Sequence, residues 1–142
     1  MGMMVCFHVP FVELTNIIPS QYHYERCKRG YRQVKVGIIR CRQTEDMCPG
    51  TTDFKIAASG ACAFEDMGPV DIVGFLSCGG CPGKRAVLRA KMLVDRGAEA
   101  VVFASCMKKG NPIDFPCPHF STIKAAVEKQ LRPEIKVIDW TH

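Results

Sequence analysis

The chain has no uninterrupted apolar run long enough to cross a membrane. The nearest approach, Met3 to Ile18, is broken by His8, Pro10 and Glu13, whereas a spanning helix needs roughly 20 apolar residues. No Lys or Arg precedes that run and no small-residue cleavage site follows it, so a secretory leader is not expected. Gly2 is followed by Cys6 where a myristoylation signal wants Ser or Thr. Strong charge is also missing. A net charge of +5 over 142 residues is mild, and the only basic cluster, Arg26, Lys28, Arg29 and Arg32 around Tyr31, lies outside the patterned part of the chain. A nucleic-acid face is normally larger and more one-sided, so neither nucleic acid nor membrane is an expected partner. There is no internal repeat and no low-complexity tract.

Phosphate loops fail as well. A phosphatase-type loop starting at Cys78 would need arginine where Lys84 stands; a Walker A loop would need glycine at Cys78 and Ser or Thr at Arg85.

What the chain does have is cysteine. Nine thiols cannot all pair within one molecule, which fits a reducing, cytoplasmic setting better than an oxidising one. A composition of 47% hydrophobic and 23% charged residues is that of a soluble globular protein, and the length suits one domain rather than two. Residues 1–33 show no sustained period and read as an N-terminal extension with little order of its own. The patterned domain is expected over 34–142.

Within it, apolar strand-like runs alternate with helix-like segments. Strands are expected from Val34 to Arg40, Val70 to Ser77, Ala100 to Ser105 and Ile135 to Thr141. Helices are expected from Thr52 to Phe64, with Phe54, Ala57, Ala58 and Ala61 on one stripe; from Pro82 to Arg96, with Ala86, Val87, Ala90, Leu93 and Val94 inward and Arg85, Arg89, Lys91 and Arg96 outward; and from Thr122 to Arg132, capped by Ser121. Strand and helix in alternation favour right-handed crossovers and a parallel sheet. The fold class is therefore α/β: a single flavodoxin-like (Rossmann-like), three-layer domain with about four parallel strands.

Each expected strand stops at a thiol or an imidazole: Cys41, Cys78, Cys106 and His142. Open parallel sheets bind ligands beyond the carboxyl ends of their strands, so these four share one edge. Cys78-Gly79-Gly80-Cys81-Pro82-Gly83 is the sharpest local signal. Two glycines let both sulfurs turn to a common point, and a helix starting near Pro82 would favour thiolate, the form that binds metal or attacks a disulfide. Cys-Pro pairs at Cys48-Pro49, Cys81-Pro82 and Cys117-Pro118 exceed what composition alone gives, and Cys117-Pro118-His119 adds an imidazole. A packing role is the plain alternative for Cys41 and Cys106, and a solvated side chain for His119 and His142. Cys6, Cys27, Cys62, His8 and His23 lack such placement and carry no expected role.

Taken together, Ile38-Ile39-Arg40-Cys41, Cys48-Pro49-Gly50, Gly74 through Lys84, Ala104-Ser105-Cys106-Met107, Cys117-Pro118-His119 and Thr141-His142 resemble the CGGC-domain proteins. The resemblance covers Val34 to His142 and implies metal binding, with zinc as the implied ion, but no established reaction. Thr52-Asp53-Phe54 stands where the family has Gly-Cys-Leu, which removes one candidate ligand, and Trp140 stands where glycine often precedes the closing Thr-His.

Two functions remain open. In the first, Cys41, Cys48, Cys78, Cys81, Cys106, Cys117, His119 and His142 supply ligands to zinc or to an iron-sulfur cluster; a tetrahedral zinc takes only four, so these candidates exceed one closed centre. In the second, Cys78 and Cys81 are the catalytic pair of a thiol-disulfide redox enzyme. Metal sensing or delivery has no DNA-binding motif to support it.

Overall fold

The structure, a computed structural model, describes residues 32–142; the expected extension, with Cys6, Cys27, His8, His23 and most of the basic cluster, lies outside the described residues. Four strands form one sheet: β1 (Lys35–Arg40), β2 (Asp71–Ser77), β3 (Ala100–Phe103) and β4 (Lys136–Ile138). All pairs are parallel, in the order β2-β1-β3-β4. β1 is interior and its Val36, Ile38 and Ile39 are fully buried, as a strand covered on both faces should be. The helices are α1 (Thr51–Ser59), α2 (Arg85–Asp95), a single turn α3 (Ser105–Lys108) and α4 (Phe120–Gln130). The result is the expected three-layer, flavodoxin-like α/β domain.

Register brings the strand ends into line. Arg40 pairs with Ser77 and Ile39 with Phe103, and the ladder runs one step further, with Cys78 N–H donating to Arg40 O at 2.7 Å and Ala104 N–H to Ile39 O at 2.9 Å. Adjacent strand order reverses between β1 and β3; Cys41 follows β1 directly and Cys106 lies three residues past β3, inside α3. That is the topological switch point, where such sheets place their ligands.

Helix α2 packs closely because two strands make room for it. A Cβ on Gly74 would lie 2.3 Å from Leu93 Cδ2, and one on Gly37 would meet Leu93 Cβ at 2.8 Å. Ala86, Ala90 and Leu93 are buried as expected, with Val87 and Val94 half-buried beside them. Arg89 is not outward: its guanidinium donates to Ser77 O and Oγ at 2.7 Å.

Several element boundaries differ from expectation, among them the end of β4, which stops at Ile138 rather than Thr141. α2 starts at Arg85 rather than Pro82, because Gly83 adopts a left-handed φ of 85° that a helix cannot contain. α1 stops at Gly60, and Cys62–Phe64 forms a separate 3-10 turn. Its buried face holds Asp53 and Ala57, while Phe54 is exposed and stacks on Phe75 at 5.1 Å. α4 begins at Phe120 with His119 at the cap position, so Ser121 is inside the helix. The expected third strand is shorter, since Ser105 already starts α3.

Candidate functional site

The carboxyl edge carries two chemically distinct clusters. The first is made of sulfur. Cys41 N–H donates to Cys106 Sγ at 3.2 Å, so the end of β1 is held by a thiol where no further carbonyl of β3 is available. Burial pushes the Cys41 thiol up to about 11, and the nearby thiols of Cys78, Cys106 and Cys117 push the same way; the Gln43 amide opposes them. Cys106 is also raised by burial, and the Cys41 amide and Thr44 hydroxyl work against that shift. Cys117 is raised by burial, opposed by the amides of His119 and Phe120 at the start of α4, while Cys78 and Cys81 act on it as repelling neighbours. Cys41 is thus within electrostatic reach of Cys78, Cys106 and Cys117, and Cys117 of Cys78 and Cys81. Cys78 is buried and Cys81 exposed. A cavity of about 290 Å³ opens on this cluster, lined by Cys41, Cys81, Ile113, Phe115 and Cys117.

The second cluster is polar and buried. Asp53, 4% exposed, accepts a hydrogen bond from Thr141 Oγ1, and His142 Nδ1 lies 3.4 Å from its carboxylate and 3.0 Å from the same hydroxyl. Ser105 Oγ accepts from the amides of Thr141 at 3.2 Å and His142 at 2.9 Å and donates to His142 O at 2.6 Å. Its hydroxyl is fully engaged and fully buried, so it is a structural tie rather than a nucleophile. Lys109 Nζ also donates to His142 O, at 2.7 Å, and sits 3.8 Å above the Trp140 ring. Trp140, the departure from the family pattern, therefore helps to fix how His142 is presented. Arg40 stands between the clusters, its guanidinium over the Phe75 ring and lowering the Cys106 pKa; its buried Nη2 has no hydrogen-bond partner among the described residues.

The eight expected ligands do not gather into one centre. The His142 ring lies instead beside Asp53. Among the described residues no three His, Cys, Asp or Glu side chains are close enough to share a metal ion. Sequence reasoning missed Asp53 as a member of the site, along with Ser105, Thr141 and Arg40. All but Asp53 lie inside the quoted motifs, and Asp53 falls in the segment that departs from what the resemblance implies; that departure was the available signal.

The raised thiols set a pH dependence. A thiol whose folded pKa lies above its ordinary value stays protonated longer in the folded state, so stability is full below about 9 and falls as pH rises through about 11. For Cys41 the loss is on the order of 1–2 kcal/mol after allowing for solvent screening, and Cys106 and Cys117 add in the same direction. Urea midpoints of reduced protein between pH 8 and 11 should decline accordingly; a flat profile would contradict the buried thiol cluster.

No helix among the described residues is long and apolar enough to cross a membrane. The chain is 34% identical over 115 residues, 77% of its length and 87% of the relative's, to "Uncharacterized protein MJ0582" of Methanocaldococcus jannaschii. It is 38% identical over 55 residues to "Uncharacterized protein MJ0766" of the same organism, covering 38% of this chain and 79% of that one. No solved structure matches it. Residues 35–142, which carry the whole sheet and both clusters, match the CGGC domain, and the chain belongs to that family.

Proposed function

We propose that the protein binds a soft metal ion through thiolates at the carboxyl edge of its sheet, with Cys41, Cys78, Cys81 and Cys117 as ligands. The observation that supports this reading is the approach of Cys78 and Cys117 to buried Cys41, and of Cys78 and Cys81 to Cys117, at one edge of the sheet. Each ionised sulfur there raises the cost of the next, and a bound cation is what relieves such a set. In kind, the donors suit zinc or an iron-sulfur cluster. In spacing, the described side chains stand too far apart to close a site, so binding entails movement of these thiols and no reaction step is assigned to the metal. Full-length protein purified without oxygen should carry stoichiometric zinc or iron, with a visible charge-transfer band only for iron. Cys41→Ser and Cys117→Ser should each weaken binding by roughly ten-fold or more, while Cys62→Ser should not. Uptake at pH 7 should release about one proton per thiolate ligand. A folded chain that takes up neither metal would overturn the reading.

A second reading is favoured by one observation, the exposure of Cys81 beside buried Cys78. An accessible thiol with a shielded partner two glycines away is the layout of an attacking and a resolving cysteine. In this reading, the pair forms an intramolecular disulfide and the metal-free protein exchanges thiols with disulfides.

A further inference from the structure

Cys81 lines two cavities of opposite character. On one side is the apolar, thiol-lined cavity described above. On the other is a cavity of about 300 Å³ bordered by Arg42, Gly79, Gly80, Lys84 and Arg85, a volume at the small end of ligand pockets. No acidic side chain lines it. Among the described residues none of its three cations takes part in an ion pair, and all three are exposed.

The two glycines of the CGGC loop build this cavity. A Cβ on Gly79 would sit 2.6 Å from Arg85 Cβ, and one on Gly80 would lie 3.6 Å from Arg42 Cδ. Both glycines hold left-handed φ values, 86° and 95°. The aliphatic stem of Arg85 therefore packs against the bare loop, with Arg42 beside Gly80, and both side chains border the same cavity as Cys81. Three like charges around one thiol create a positive potential that concentrates anions. Cations held together at this cost, without acidic neighbours, imply an anionic occupant.

Resting on the thiol-exchange reading, we infer that this cavity binds the anionic groups of a small, negatively charged disulfide and delivers its sulfur to Cys81. Cys81, as thiolate, attacks one sulfur; a Cys81–sulfur bond forms as the ligand's S–S bond breaks, and one anionic thiol leaves. Cys78 then attacks the Cys81 sulfur, giving a Cys78–Cys81 disulfide and releasing the second thiol. The two protein thiols are oxidised by two electrons, the small disulfide is reduced by two, and the two protons pass through solvent to the released thiols.

The test compares 5,5′-dithiobis(2-nitrobenzoate), an anionic disulfide, with cystamine, a cationic one, on reduced, metal-free full-length protein, locating the mixed disulfide by peptide mass. Cys81 should be labelled first. The ratio of anionic to cationic rates should fall roughly ten-fold or more in a variant carrying Arg42→Gln, Lys84→Gln and Arg85→Gln, and should fall with added salt in the native sequence. Circular dichroism checks that the variant, altered only at exposed positions, is folded. An unchanged ratio, or first labelling elsewhere, overturns the proposal. If the charge preference holds but only one aromatic thiolate is released per chain and the mixed disulfide persists, the resolving role of Cys78 fails while the anion site stands.

Discussion

Gly74→Ala should destabilise the fold by about 3 kcal/mol, and removing the Leu93 side chain should cancel most of that added cost. The new Cβ would lie 2.3 Å from Leu93 Cδ2. A leucine tip can often swing aside, but here the other half of the side chain is against Gly37, with Cδ1 at 2.7 Å from a Cβ built there. Leu93 is 3% exposed and wedged between two neighbouring strands. Leu93→Ala alone should cost about 2–5 kcal/mol. In that background Gly74→Ala meets nothing, since only side-chain atoms beyond Cβ opposed it, so the double-mutant cycle should show about 2 kcal/mol of coupling. Gly37→Ala behaves differently: Leu93 Cβ itself lies 2.8 Å away, and that atom survives truncation to alanine. Urea midpoints of the two cycles decide the matter. Equal rescue at both glycines, or no cost for Gly74→Ala, would show that α2 does not sit on the sheet as described.

The second large effect is expected at Thr141. Thr141→Val keeps the shape and removes the hydroxyl that donates to Asp53, accepts from the Ser105 amide at 3.2 Å and lies 3.0 Å from His142 Nδ1. Asp53 then keeps only the His142 ring, at 3.4 Å. A buried carboxylate that loses its donor costs about 2–4 kcal/mol. Asp53→Asn should cost less in the Thr141→Val protein than in the native one, because the two share one interaction. Additive losses would mean that the contact contributes nothing beyond packing.

These two sites mark where local pattern stops being informative. The strands, their parallel order and the shared edge were legible, since β-branched runs, glycine turns and helical stripes are local signals. The CGGC loop was equally plain. The inward face of α1 was not: an apolar stripe argues for Phe54, yet Asp53 takes the buried place because Thr141, 88 residues away, satisfies its carboxylate. A charge can be buried only with its partner present, and that partner is invisible to a window of a dozen residues. Gly83 cut back the start of α2 in a similar way, through a backbone angle rather than a side chain. Among the candidate ligands, Cys41 and Cys78 follow β1 and β2 directly because the strands that precede them are plain in the sequence. His119 meets Cys117 through its backbone amide, a contact that no side-chain pattern announces. His142 belongs to the polar cluster because its ring meets Asp53 and Thr141, one of them 89 residues away in sequence.

The position of β1 also governs the order in which the edge can be built. It is made first during synthesis but lies inside the sheet, and its second neighbour arrives only with β3; the Cys41–Cys106 contact spans 65 residues. Contacts of such separation close late, because the loop entropy must be lost before they repay it. Until then Cys41 lacks its contact with the Cys106 sulfur, although Cys78 and Cys81 are already neighbours in their own loop. The emerging polypeptide is thus most open to stray oxidation at Cys41 before β3 docks, and that docking is what first covers the sulfur at the end of β1 with a second one.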